Sequence, residues 1–149
     1  MTVRPEIETL RAGYESFNRR DWDAVLSAAG PDFELVTSDR ATNAGIYRGP
    51  EAARGVLQDL FEPFESATAE VEEFLVQDDR IVVLLTMRFR PRGSTAVVEN
   101  RIAHLWTARE GRLVRLQVFP ERELAIAAAG LSVETPSGRV AGPGVPDLE

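Results

Sequence analysis

Residues 99–121 read ENRIAHLWTAREGRLVRLQVFPE. Two runs of apolar and β-branched residues flank Arg109, Glu110 and Gly111. A glycine closing a short polar break marks a β-hairpin, because it adopts the positive φ that the turn demands. With Glu110-Gly111 as a two-residue turn, Ala103 falls opposite Val118, and Leu105 opposite Leu116. Those four side chains then share one sheet face. A slip of one residue reverses the faces and presents His104, Trp106, Arg115 and Gln117 instead. The stretch also holds the sole histidine and one of the two tryptophans.

Working outward, Ile81 to Arg90 alternates with period two. Ile81, Val83, Leu85, Met87 and Phe89 point one way, which predicts a strand with that set buried. Ala69 to Gln77 is a preceding strand, joined to it by a tight turn at Asp78-Asp79-Arg80. Pro91 to Thr95 is a loop. Glu121 to Ala129 reads as a short helix ending at the C′ glycine Gly130. Towards the N-terminus, Ile7, Leu10, Tyr14 and Phe17 form one apolar stripe on a helix over Pro5 to Arg20, which Thr2 can cap. Asp21 caps a second helix, Trp22 to Ala29, stopped by Gly30-Pro31. Phe33 to Thr37 is a strand, 38–44 a polar loop, and Gly45 to Gly49 a short extended piece carrying Tyr47. Pro50 opens a third helix, Glu51 to Phe64.

Helices first and a hairpin-rich sheet after them predict an α+β fold. A curved antiparallel sheet wrapped on the N-terminal helices makes a cone with an interior pocket. One domain over 1–131 is expected. Residues 132–149, SVETPSGRVAGPGVPDLE, lack periodicity and read as a flexible tail.

Composition narrows the function classes. The chain has 149 residues, 44% of them hydrophobic, enough for a core that encloses a pocket. A net charge of −7 disfavours nucleic acid as a partner. All 17 basic residues are arginine, so lysine Schiff-base chemistry is excluded. The Arg, Ala and Gly bias fits a GC-rich bacterial genome. There is no cysteine, hence no disulfide and no thiolate nucleophile. One histidine without cysteine makes no convincing zinc site, and neither metal nor cofactor is expected. No apolar run approaches a membrane span, and MTVRPEIETL has no signal-peptide core, so no membrane association and a cytoplasmic location are expected.

Four segments together resemble the SnoaL-like branch of the nuclear transport factor 2-like superfamily. They are FNRRDWDAVLSAAGPDFEL, YRGPEAARGVL, DDRIVVLLTMRFR and AHLWTAREGRLVRLQVFPERELAIAAAGL. Their order and spacing carry the likeness, over residues 4–131. The resemblance implies an α+β cone, usually a homodimer, with a pocket between sheet and helices. Its members include steroid isomerases, polyketide cyclases, epoxide hydrolases and dehydratases.

The resemblance also says where catalytic groups would sit. Ketosteroid isomerases use an Asp base, a Tyr donor and a second, protonated Asp donor. Those positions fall here on Thr37, Gly13 and Ala103, with Tyr14 one residue from the second and Asp39 two residues from the first. The epoxide-hydrolase positions fall on Leu85, Met87 and Val118, the last also being the cyclases' acid position. None of these positions carries the acid or base that its relatives place there.

The expected site is therefore an apolar pocket lined by Tyr14, Tyr47, Leu85, Met87, Ala103, Leu105, Leu116 and Val118. It would bind a small hydrophobic molecule in a protein that forms a homodimer through its outer sheet face. An enzyme would instead use His104, Asp39, Arg101 or Tyr14 in non-standard positions, acting on a polyketide, steroid or terpenoid. His104 has the pKa for proton transfer near neutral pH. Its expected place is nonetheless the outer sheet face, at the dimer interface. Trp106 and Trp22 read as packing residues, Asp39 as a solvated or capping residue, and Arg101 as a strand-end residue near solvent. A non-catalytic dimeric scaffold with a filled pocket is the third reading.

Overall fold

A computed structural model describes residues 5–27, 29–37 and 45–131. The predicted loop at 38–44, with Asp39, the tail 132–149 and the Thr2 cap lie outside the described residues. The elements are α1 (Pro5–Asn18), α2 (Trp22–Val25), β1 (Glu34–Val36), β2 (Ile46–Arg48), α3 (Pro50–Phe61), β3 (Phe64–Gln77), β4 (Arg80–Pro91), β5 (Val98–Arg109), β6 (Arg112–Phe119) and α4 (Arg122–Ala128). This is the expected α+β order. The six strands form one sheet in the order β2-β1-β6-β5-β4-β3. All neighbours are antiparallel except β1 and β6, which run parallel.

Two elements differ in length from the sequence reading. α2 is a single turn rather than a helix to Ala29. Asp21 caps it as expected by accepting from the Ala24 amide, but the Ser27 hydroxyl already takes the Ala24 carbonyl. α3 stops at Phe61, ahead of Pro63, and the released chain joins the sheet five residues early. Phe64 then stands opposite Pro91 and packs on Phe89 at 4.9 Å between ring centroids.

The sheet is covered on both sides, which is why Ile81 to Met87 are buried without alternation. Ile81, Val83, Leu85 and Met87 pack under Ile7, Leu10 and Tyr14 of α1. On the opposite face Val82, Leu84, Ala103 and Leu105 pack against Ala125, Ile126 and Ala129 at α4. α3 closes over β1 through Ala53 and Val56 against Phe33 and Leu35.

Polar side chains fasten this assembly. Asn18 at the end of α1 donates to the Ala69 carbonyl at 3.1 Å and accepts from the Ala69 amide at 2.7 Å. Arg20 donates to the Phe64 carbonyl. α1 is thereby pinned to β3 one turn beyond Tyr14. On the α4 side, Arg122 donates to the carbonyls of Leu85 and Ile102 and to Glu72. Burial pushes the Glu72 carboxyl up, but hydrogen bonds from Thr86 and Arg122 and the charges of Arg122 and Arg101 hold it below the usual range. Beyond α4 that face carries charge, with Arg88 bridging Glu70 and Glu99.

The central hairpin has the expected turn. Glu110 and Gly111 have φ of 54° and 80°, the positive pair of a type I′ turn. Arg109 faces Arg112 and Ala108 faces Leu113, in the expected register. The register then shifts: Thr107 faces Arg115, leaving Val114 as an extra residue in β6. A bulge of this kind moves every later residue of the bulged strand by one position. His104 consequently faces Val118, Trp106 faces Leu116, and Ala103 faces Phe119.

Candidate ligand-binding site

The bulge decides which side chains enter the interior. Val83 stands opposite His104 and Ile81 opposite Trp106, so both β5 residues lie on the face beneath α1. Leu116 and Val118 lie on the same face, as expected. Ala103 and Leu105 do not: they pack under α4 on the other side. That corrects two expected pocket residues and moves His104 from the outer face to the inner one. Arg115 and Gln117 pair with Thr107 and Leu105 and stay on the outer side.

Between the helices and this sheet face lies a cavity of about 570 Å³. The volume suits a drug-sized molecule. Tyr14, Met87, Leu116 and Val118 line it, together with His104 and Trp106. Leu85 points to the same face but is fully covered, outside the cavity wall. Tyr47 is also outside the wall, packed with the β1–α3 cluster. Arg101 pairs with Thr86, is exposed, and adds its charge to Glu72 on the α4 side, so it has no place in the cavity. Phe17, Phe61, Phe64 and Phe89 form an aromatic wall, with ring centroids 4.9–6.1 Å apart. Sequence reasoning missed these four as lining residues; the shared face of Phe17 with Tyr14 and of Phe89 with Met87 was the available signal for two of them.

No charged side chain lines the cavity among the described residues. Its polar groups are few, and most are already engaged. Thr9 donates to the Pro5 carbonyl, and Thr37 Oγ1 accepts from the Gly45 amide. Trp106 Nε1 donates to the Tyr14 hydroxyl at 3.0 Å, and that hydroxyl lies 2.6 Å from His104 Nδ1. The arrangement that pairs both the indole N–H and the phenol O–H runs from the indole to the phenol, and from the phenol to Nδ1. It requires an unprotonated Nδ1 and puts the imidazole proton on Nε2. Nε2 is accessible at the cavity wall and makes no hydrogen bond to any described residue.

Burial sets the charge state of this cluster. It lowers the His104 pKa from 6.5 to about 4, and no carboxylate among the described residues lines the cavity beside it. Burial also pushes the Tyr14 phenol well above its ordinary value, only partly offset by the Trp106 hydrogen bond. At neutral pH both groups are uncharged. The cluster offers one N–H donor, His104 Nε2–H, to an apolar chamber. No group of three or more His, Asp or Glu residues could hold a metal ion among the described residues.

Comparison with known proteins agrees with this geometry. The SnoaL-like domain model matches residues 10–116, more than two thirds of the chain. The chain belongs to the SnoaL-like family. The uncharacterised protein Rv0034 of Mycobacterium tuberculosis is 27% identical over 120 residues, covering 80% of this chain and 91% of that protein. Among solved structures, TerC co-crystallised with polyporic acid superimposes with a TM-score of 0.71 at 25% identity, over 85% of this chain and 97% of that one. An NTF2-like protein of unknown function from Burkholderia pseudomallei gives the same TM-score, identity and coverage. The SnoaL-like chain described here thus shares the NTF2-like cone. No helix among its described residues is long and apolar enough to cross a membrane.

Proposed function

We propose that this SnoaL-like protein binds a small, uncharged hydrophobic molecule and holds its polar group on His104 Nε2–H. One observation carries the reading: a cavity of about 570 Å³ with no charged side chain among its described lining residues, and a free N–H donor at its enclosed end. A buried anion or cation there would lose its hydration with no counter-charge, at a cost of several kcal/mol. A ketone, ester or ether oxygen meets the N–H with no such penalty. The aromatic wall suits flat, ring-containing molecules. The TerC structure with polyporic acid supports a small organic molecule as the class of occupant.

A thermal-shift screen tests this with neutral hydrophobic ketones and their carboxylate analogues. The ketones are expected to raise Tm and the carboxylates not. The shift should vanish in Leu116→Arg, which puts a charge into the chamber. Equal shifts from carboxylates would overturn the reading.

A second reading is favoured by the short Tyr14–His104 contact in an enclosed chamber. A neutral imidazole held as a donor polarises a carbonyl and eases loss of an α-proton to solvent water at the cavity mouth. It predicts exchange of a bound ketone's α-protons in D2O, lost in His104→Phe. Binding without exchange would leave the first reading standing alone.

A further inference from the structure

We propose that the cavity reads two polar ends of one elongated ligand, the inner end at His104 and the outer end at Asn100. The inference rests on the binding reading above and adds a second contact residue and a length.

Asn100 and His104 lie four residues apart on β5 and both line the cavity. Asn100 stands opposite Met87, as His104 stands opposite Val83, which puts both on the inner face. Four strand residues span about 13 Å. The exposed lining residues Thr9, Val98 and Asn100 mark the mouth, whereas the His104 cluster belongs to the enclosed end.

The polar inventory of the wall singles out the same pair. Thr9 and Thr37 are engaged with their own neighbours, and Tyr14 and Trp106 are engaged with each other and with His104. The Asn100 amide makes no hydrogen bond to any described residue, and neither does His104 Nε2. Between them the wall is apolar, with Ile102 and Met87 on the sheet side and Phe89 beside the mouth.

A ligand that satisfies both ends has an apolar, unbranched body and two uncharged polar groups. With a hydrogen bond of about 3 Å at each end, those groups stand about 7–13 Å apart, according to how far the bonds lean along the strand. The inner one is an acceptor, because Nε2 presents a proton. The outer one is either donor or acceptor, because a primary amide pairs with both.

Linear aryl ketones of increasing length measure this directly. Kd values are compared by calorimetry for 4-acetylbiphenyl and 4-acetyl-4′-hydroxybiphenyl, with 4-hydroxyacetophenone as the short control. The 4′-hydroxyl is expected to tighten the biphenyl ketone about 5–10-fold in the wild type, the gain of one net hydrogen bond. That gain, read as the ratio of the two biphenyl Kd values within one protein, should fall to about one in Asn100→Leu. The one-ring phenol, too short to span the pair, should behave alike in both proteins. A 4′-hydroxyl gain that survives in Asn100→Leu, or no gain in the wild type, overturns the two-ended reading and leaves ketone binding intact. Failure of 4-acetylbiphenyl to bind overturns both.

Discussion

The Tyr14 hydroxyl and His104 Nδ1 meet at 2.6 Å, joining residues ninety positions apart in the chain. The contact ties α1 to β5 across the cavity. It also decides which imidazole nitrogen faces the ligand. With the phenol proton directed at Nδ1, the imidazole proton is confined to Nε2.

Tyr14→Phe removes this link. It leaves the Trp106 N–H and His104 Nδ1 without a partner in an apolar setting, at a cost of about 1–3 kcal/mol. A domain of this size loses about 2–4 °C of Tm per kcal/mol. A fall of roughly 3–10 °C in a circular-dichroism melt is therefore expected, and an unchanged Tm would refute the link. Nitrogen-resolved NMR of the single histidine should show the Nε2–H tautomer in the wild type at pH 7.

The buried histidine also makes stability depend on pH. In the unfolded chain His104 takes up a proton below its ordinary value of 6.5, whereas in the fold it does so only near 4. Between these values the unfolded state binds more protons, so stability falls as pH falls. The full loss from this group is about 3 kcal/mol by pH 4. Urea denaturation across pH 7 to 4 should show it, and His104→Phe should flatten this part of the profile. The same decline in His104→Phe would assign it to other groups.

Asn18 secures the helix that carries Tyr14. Its amide satisfies both the N–H and the C=O of Ala69, so Asn18→Ala strands two backbone groups. A loss of about 1–3 kcal/mol is expected, with faster amide exchange at Ala69. Asn18→Asp keeps the acceptor and should recover part of the loss. Equal stability of all three proteins would show that water replaces the side chain.

Most of the architecture is legible in local chemistry. The Leu10–Tyr14–Phe17 stripe, the Asp21 cap, the period-two run from Ile81 and the Glu110-Gly111 turn each have one cause within a few residues, and each forms as read. The cavity wall is different, because it depends on pairing between strands. The turn fixes register only as far as Leu113, and nothing in the identity of Val114 marks it as the extra residue. Leu116 and Val118 were placed correctly, yet their partners across the hairpin were not. His104 was assigned to the outer face for the same reason. The aromatic wall escaped because Phe61 and Phe64 belong to different elements that meet only after Pro63 ends α3.

Val114 can be tested by deletion. Without it, Leu113 would join Arg115 directly, and Thr107–Arg115, Trp106–Leu116 and His104–Val118 would stay opposite one another in a ladder without the bulge. The cavity wall is therefore expected to survive the loss of this residue. A cooperative melt and the Nε2–H signal of the buried His104 should both be retained. A deletion variant that loses the His104 signal would refute Val114 as the extra residue.

Val114 makes the absorbing of one spare residue, rather than residue choice, the lever that selects the chamber's contents. The same strand paired without its bulge would present the opposite row of side chains with none of them altered. Two relatives aligned without a gap at this point can therefore place the same letter on opposite walls. A histidine that is a contact residue in one would be a surface residue in the other. For proteins built on this hairpin, losing the spare residue together with its bulge keeps the wall, whereas losing only one of the two exchanges it, so the bulge and the spacing from the turn glycine to the aromatic end of the strand have to be read together.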